Sequence, residues 1–390
     1  MDPIFKLQKP NSPLLGILGG GQLCRMTTLA ALRMGVRVRI LADVASGPEA
    51  PFADVTVTDW TDPAVLRAFA DGCTAITVES EWAPVEALAR VAPDLVVWPS
   101  PKTLLAVRHK GRQCEALAAA GLPQPPYVRA ATLAEADDAR SCFGGSVVAK
   151  RFEGSYDGYG NATCRTPGDL VAAFERLAAA DGILVEAFVP FEAELAVTVA
   201  RSPNGETVVY PPVRSEHRDH RLHAAHLPAG VSPDIEAEAQ RLALAATAAL
   251  GTVGVATVEL FLLGETGCGP RVLVNEVAPR PHNTAHGTIE ACETSQFENH
   301  VRAVLSLPLG SPALRVAAAC TVNVLGCPAG HPDALLADAL RIPGVAVHLY
   351  GKTESRPARK MGHVTATAAT ANDARRLAER AARILEGQEG

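Results

Sequence analysis

The strand-like run Leu14–Leu18 passes through Gly19, Gly20 and Gly21 directly into a helical pattern over residues 22–34. A strand that feeds a helix through a glycine turn rejoins its own sheet by a crossover, and such crossovers are right-handed and join parallel strands. Strand-like runs at 36–41, 74–78 and 95–98, with helical patterns between them, repeat the arrangement. The N-terminal part is therefore expected to be an open parallel α/β sheet.

Further on, the pattern changes. Helical segments near 108–120 and 132–140 lead to a strand at 146–150, a glycine-rich loop at 151–161, a helix at 167–180 and a strand at 183–188. From residue 192 strands dominate, at 194–201, 207–210, 255–263 and 271–277. A last piece from about 311 has strands near 316–324 and 364–368. It closes on a helix at 372–385 with Ala374, Leu377, Ala381 and Ile384 as its apolar face. The fold class is thus α/β followed by α+β, in four segments, 1–107, 108–188, 189–310 and 311–390. No repeat or low-complexity linker separates them, so they should pack tightly on one another.

At 390 residues the chain can bury two or three proper cores, and 48% hydrophobic with 20% charged residues places it among soluble globular proteins. The first 13 residues lack the apolar stretch of a signal peptide, and no run approaches the roughly 20 apolar residues of a membrane span. Nine cysteines without a C-x-x-C pair suggest free thiols in a reducing cytoplasm and argue against zinc. A net charge of −6 argues against a nucleic-acid partner.

Against that acidic background, G-K-T-E-S-R-P-A-R-K-M-G-H (351–363) packs Lys352, Arg356, Arg359 and Lys360 into nine residues. Cations concentrated in this way build a local anion site. A second stretch, N-E-V-A-P-R-P-H-N-T-A-H (275–286), sets an amide, an acid, an arginine and two histidines just beyond a strand.

The glycine turn at 16–21 leaves several readings open. Its N–H groups could meet a phosphate or carboxylate at the helix start, and Asp43 lies near where a ribose-binding acid falls. The spacing is not G-x-G-x-x-G, however, and tight packing explains it equally. The loop R-F-E-G-S-Y-D-G-Y-G-N follows the strand ending at Lys150. A lysine at a strand end beside a mobile glycine loop suits the phosphates of ATP, although the same residues could form a plain β-hairpin. Tyr156 and Asp157 at its centre favour a chemically active lid.

Glu259 sits among Val255, Thr257, Phe261 and Leu263, where a bare carboxylate is costly. If the strands around 264–271 pair symmetrically, Glu259 and Glu276 become neighbours on one face, with Cβ atoms about 5 Å apart. Two adjacent carboxylates call for a cation, and oxygen-only ligands favour Mg²⁺ or Mn²⁺ shared with nucleotide phosphates. His217, His220, His223 and His226, each three apart, would form one face of a helix, but the flanking prolines argue for extended chain in which they do not converge.

Together these stretches resemble the ATP-grasp superfamily, and within it the 5-(carboxyamino)imidazole ribonucleotide synthetase family of purine biosynthesis. The resemblance runs from G-G-G-Q-L-C-R-M (19–26) to R-K-M-G-H (359–363), with departures at Cys24, Ser155, Asn161 and Thr284-Ala285. It implies an ATP-grasp fold with a Rossmann-like first segment, a small central lid segment, a larger catalytic segment and a β-rich final segment completing the ribonucleotide site. It also implies ATP- and bicarbonate-dependent carboxylation of the exocyclic amine of 5-aminoimidazole ribonucleotide, through carboxyphosphate, by a cytoplasmic homodimer.

By the same resemblance ATP is held by Arg108, Lys150, the loop Ser155, Tyr156, Asp157, Gly158, Tyr159, Gly160 and Asn161, then Glu186, Ala187, Phe188, Val189, Glu194 and His217. Glu259 and Glu276 hold Mg²⁺, with Asn275 beside them. Gln22, Glu79, Glu81, Asp157, Lys352 and Arg359 bind the ribonucleotide, and Tyr156, Arg280, His282 and Asn283 hold bicarbonate and carboxyphosphate. The competing readings are another ATP-grasp ligase, such as a formate-dependent glycinamide ribonucleotide transformylase or a biotin carboxylase, a non-catalytic nucleotide-binding protein, and a nicotinamide oxidoreductase. The 352–363 cluster argues against the other ligases, and the intact Lys150, Glu259, Glu276 and Arg280 against the non-catalytic reading.

Overall fold

The computed structural model describes residues 12–43, 53–154, 160–218, 221–264, 271–327 and 330–388. Three sheets organise them. The first is parallel, in the order β3-β2-β1-β4, from β1 (Leu14–Leu18), β2 (Arg37–Ala42), β3 (Asp54–Val57) and β4 (Ala75–Val78). Every residue of β1 is buried, as a central parallel strand covered on both faces requires. The run at 95–98 contributes only one parallel bridge, Ile76 to Val97, whereas β3 is a strand that its polar sequence concealed.

The second sheet is antiparallel, in the order β5-β8-β6-β7, from β5 (Tyr127–Ala130), β6 (Val147–Lys150), β7 (Asn161–Cys164) and β8 (Ile183–Ala187). Its helices start on strong caps. Thr132 and Glu135 form a reciprocal capping box on Leu133–Cys142, as do Thr166 and Asp169 on Pro167–Leu177. Lys150 pairs with Asn161 across the β6–β7 hairpin, so the glycine-rich stretch connects the two strands of a hairpin. Ser155, Tyr156, Asp157, Gly158 and Tyr159 lie outside the described residues.

The third sheet is antiparallel throughout and has nine strands among the described residues. They are β9 (Ala193–Arg201), β10 (Thr207–Val209), β11 (Val213–Arg218), β12 (Arg221–Leu227), β13 (Gly254–Leu262), β14 (Val272–Ala278), β15 (Ala318–Leu325), β16 (Val345–Leu349) and β17 (Lys360–Ala368). Segments 189–310 and 311–390 share this sheet through the β12–β15 pairing. The strand-dominated reading of 192 onward omitted the helix Pro233–Ala249, whose Ile235, Ala239, Leu242 and Ala246 pack on β9, β13 and β14. Its alanine-rich sequence gives no sharp apolar stripe. The last helix, Ala371–Leu385, buries Ala374, Ala378, Ala381 and Leu385 against β15 and β17. No helix among the described residues is long and apolar enough to cross a membrane.

Candidate active site

A cavity of about 820 Å³ is lined by residues of the second and third sheets and by the segments that follow β1 and β4 of the first. Its floor is the β13–β14 pair. Thr257, Val258 and Glu259 oppose Ala278, Val277 and Glu276, as the symmetric register predicted. The register then slips, Leu260 facing Val274, so Asn275 is an extra residue on β14. A bulge of this kind lets consecutive residues leave strict alternation. Asn275 and Glu276 consequently both line the cavity.

Two lysines reach this floor from elsewhere in the fold. Lys110, at the start of the helix Lys110–Ala119, pairs directly with Glu276. Lys150, at the end of β6, places Nζ 2.5 Å from Glu186 Oε2 and donates to Asn275 Oδ1 at 3.2 Å. The two floor carboxylates are driven apart by these surroundings. The Lys110 ammonium, with Lys150 behind it, holds Glu276 well below the usual carboxylate range despite burial. Burial, reinforced by the charge of Glu276, pushes Glu259 up.

Among the described residues no lysine or arginine bridges Glu259; its contact is His282 Nε2 at 3.4 Å. His282 cannot supply a charge, because burial and then the Arg280 cation push its pKa down to about 3. The floor thus offers two carboxylates and an amide oxygen, one carboxylate lacking a charged partner. That donor set suits a hard divalent cation that completes its shell with phosphate and water. Among the described residues no three His, Cys, Asp or Glu converge as a metal site.

Arg280 lies four residues beyond Glu276, just past the end of β14, and is gripped by Glu81, Nε to Oε2 at 2.7 Å and Nη2 to Oε1 at 3.4 Å. Gln296 holds the His282 backbone at both ends, accepting from its N–H and donating to its carbonyl. His282 Nδ1 is 2.9 Å from Thr284 Oγ1. Asn283 Oδ1 accepts from Gln22 Nε2 at 3.4 Å, and Gln22 Oε1 accepts from Lys352 Nζ at 2.9 Å. Lys352 also donates to the Lys360 carbonyl, and Lys360 itself is buried in the cavity wall.

Glu79 shows what the glycine turn is for. Its carboxylate accepts from the N–H groups of Gly21 and Leu23, capping the helix Gln22–Arg33. A Cβ at Gly21 would collide with that carboxylate. The protein's own acid occupies the place a pyrophosphate would take, which removes the nicotinamide reading. Glu79 still borders the cavity.

On the opposite wall, His217 Nδ1 lies 2.6 Å from Glu194 Oε2. Burial pulls this imidazole down, but the Glu194 contact outweighs it and leaves the pKa raised. Its described neighbours in the ladder, His223 and His226, take other partners. His226 meets Glu216 at 3.0 Å, His223 faces Glu379 at 3.6 Å, and His220 lies outside the described residues. Arg108 lines the cavity while bridging Glu86 at 2.7 Å.

Several expected residues stand apart from the lining. Glu186 reaches it only through Lys150, Lys352 reaches it through Gln22, and Ala187, Phe188 and Val189 are not part of it. Arg359 is half-buried, is not part of the lining, and donates to the Glu354 carbonyl at 3.0 Å. Sequence reasoning missed Lys110, Gln113, Trp82 and Phe191, all of which line the cavity, and had Lys360 only as a member of the cationic cluster. Lys110 follows Arg108 by two residues, and that cationic run was the available signal.

Comparison with known proteins agrees with this architecture. Residues 13–108 match the ribonucleotide synthetase preATP-grasp domain, residues 115–297 the ATP-grasp domain, and residues 319–377 the phosphoribosylaminoimidazole carboxylase C-terminal domain. The chain is 40% identical over 381 residues to the N5-carboxyaminoimidazole ribonucleotide synthase of Mycobacterium tuberculosis, covering 95% of this chain and 86% of that one. It is 38% identical to the phosphoribosylaminoimidazole carboxylase of Schizosaccharomyces pombe, covering 90% of this chain but 64% of that longer protein. The N5-carboxyaminoimidazole synthase of Aspergillus clavatus, solved with ADP and 5-aminoimidazole ribonucleotide, superposes with a TM-score of 0.86 at 31% identity, over 97% of this chain and 99% of that one.

Proposed function

This chain belongs to the N5-carboxyaminoimidazole ribonucleotide synthase family of ATP-grasp ligases, and on that premise we propose how its residues divide the work. The reaction is ATP-dependent carboxylation of 5-aminoimidazole ribonucleotide to its N5-carboxyamino derivative, a step of purine biosynthesis. The observation that carries the assignment of roles is the set of groups along one cavity. Glu259, Glu276, Arg280, His282, Asn283 and Gln22 all line it, Gln22 donates to Asn283, and Lys352 stands behind Gln22 and donates to it.

In this reading ATP lies over the β13–β14 floor, its phosphates against Lys150, and Tyr156 and Asp157, outside the described residues, add contacts to nucleotide and substrate. Arg108, Glu194 and His217 complete the nucleotide contacts. Glu259, Glu276 and Asn275 would hold Mg²⁺, which when bound offsets phosphate charge. Lys110 keeps Glu276 ionised and in place. Arg280, clamped by Glu81, and neutral His282 with Asn283 receive bicarbonate beside the γ-phosphate.

A bicarbonate oxygen attacks phosphorus and ADP leaves, giving carboxyphosphate. This breaks to CO₂ and phosphate, and the ribonucleotide amine adds to the carbon and loses a proton. Fixed donors aimed at the developing oxyanion lower the barrier because they need no reorganisation. Carboxyphosphate is short-lived in water, so the lid must exclude solvent. Lys352 takes the ribonucleotide phosphate, with Gln22 orienting it. The same reading includes a cytoplasmic homodimer, which light scattering would test.

The discriminating experiment is a substrate panel. Carboxylated product and ADP should form from the aminoimidazole ribonucleotide with bicarbonate, and not from glycinamide ribonucleotide with formate. Turnover of the second pair, with none of the first, would overturn the reading.

A further inference from the structure

Outside the cavity three imidazole rings lie in a buried stack. His286 and His363 have ring centres 4.4 Å apart at 22°, and His363 and His348 are 4.5 Å apart at 18°. Tyr350 Oη is 2.9 Å from His363 Nδ1, and His348 Nε2 is 2.7 Å from Glu290 Oε1. His286, His363 and Tyr350 are fully buried. His348 and His363 are cross-strand partners on β16 and β17, while His286 comes from the turn after β14.

The position of the stack is what gives it meaning. His286 closes the stretch that carries His282 and Asn283, and His363 closes the stretch that carries Lys352. The rings are where these two stretches touch behind the cavity. Tyr350 extends the contact, because the Lys352 ammonium lies over its ring, 5.5 Å from the centre. Each layer of the stack is thus a few residues from a group at the ribonucleotide end of the site. Packed rings are held to within fractions of an ångström, since interiors are as dense as organic crystals. Burial keeps His286 and His363 neutral, so the stack carries no internal charge repulsion.

We infer that the His286–His363–His348 stack is a positioning element that fixes the distance between Asn283 and Lys352, and so sets affinity for the ribonucleotide without contributing to ATP binding. The inference rests on the placement of the ribonucleotide phosphate at Lys352.

The test compares His286→Ala with His286→Phe. Alanine removes the inner imidazole, which also stacks on Phe297 with ring centres 5.6 Å apart, whereas phenylalanine keeps a flat ring of similar width and dispenses with two nitrogens that have no hydrogen-bond partner among the described residues. KM for the aminoimidazole ribonucleotide, KM for ATP and kcat are measured together with Tm. His286→Ala should raise the ribonucleotide KM about tenfold, the scale expected when a binding group shifts by a fraction of an ångström. ATP KM should stay within about twofold, and His286→Phe should restore the ribonucleotide KM.

An unchanged ribonucleotide KM in His286→Ala, an equal rise in both KM values, or failure of phenylalanine to restore would each overturn the inference. If His286→Ala does not fold, His348→Ala and His348→Phe at the half-buried edge of the stack make the same comparison. Lys352→Ala is the control. If it leaves the ribonucleotide KM unchanged, the placement of the phosphate is wrong, and that result is distinct from failure of the stack.

Discussion

Lys352 and Gln22 lie 330 residues apart in sequence, yet Lys352 Nζ donates to Gln22 Oε1 at 2.9 Å. The first glycine turn and the last cationic cluster therefore form one wall of the cavity. Gln22 is presented there because Glu79 fixes the helix start, and Lys352 because Tyr350 and the Lys360 carbonyl hold its side chain.

That contact separates two cations that look alike in sequence. Lys352→Ala should raise the ribonucleotide KM by one to two decades, the cost of a lost charge-assisted contact of about 1.5–3 kcal/mol, with ATP KM almost unchanged. Arg359→Ala should have a smaller effect, because its guanidinium already donates to the Glu354 carbonyl. Steady-state kinetics with each substrate varied checks both, and an ATP-specific defect in Lys352→Ala would move the cluster to the nucleotide site.

Glu276→Gln keeps the shape of the floor but removes the charge that pairs with Lys110 and that the proposed Mg²⁺ site would use. Turnover should fall by at least about 10²-fold, the scale of lost electrostatic stabilisation. Circular dichroism should show the fold intact. Near wild-type turnover at limiting Mg²⁺ contradicts the assignment.

His282→Ala should spare ATP affinity and depress bicarbonate-dependent turnover. The ring is neutral and close to both Glu259 and Arg280, so it serves as a hydrogen-bonding group and not as a charge. ADP and carboxylated product, followed together at saturating ATP, report the effect. Wild-type rates of both would place bicarbonate elsewhere.

Acid should destabilise the fold through its buried histidines. His282 and His300 are pushed down to about 3 and about 4 by burial, and His286 and His363 lie well below the ordinary value for the same reason. His300 shows how the neutral form is locked: Nδ1 accepts from the Val255 N–H at 3.0 Å while Nε2 meets Thr77 Oγ1 at 2.8 Å. In the unfolded chain these groups bind protons below about pH 6.5, which the folded state refuses. Stability is therefore full above that pH and lost as pH falls, by up to about 1.4 kcal/mol per pH unit for each histidine. Glu79 and Glu259, whose folded pKa values are raised, oppose part of this loss. Urea unfolding between pH 5 and 8 should show the decline, and His286→Phe should flatten it. A stability that rises toward pH 5 would contradict the account.

What the sequence disclosed, and what it concealed, follows the range of the interactions involved. The parallel start of the fold was legible because an apolar strand, a glycine turn and a helix are all local. The Glu259–Glu276 pairing was legible because a hairpin sets its own register. The bulge at Asn275 was not, since a one-residue slip leaves no mark in composition. Lys110 and the Glu81–Arg280 pair were missed as partners because the contacts join residues 166 and 199 positions apart. The helix Pro233–Ala249 escaped because alanine packs well without marking a face.

The most direct test of the central claim is isotope transfer from ¹⁸O-labelled bicarbonate in a single turnover, begun at once after mixing to limit exchange with water. If bicarbonate attacks the γ-phosphate beside Glu276 and Arg280, the inorganic phosphate released must carry one bicarbonate oxygen, in step with ADP and the carboxylated ribonucleotide. Phosphate free of label, with product formed at the normal rate, would contradict it.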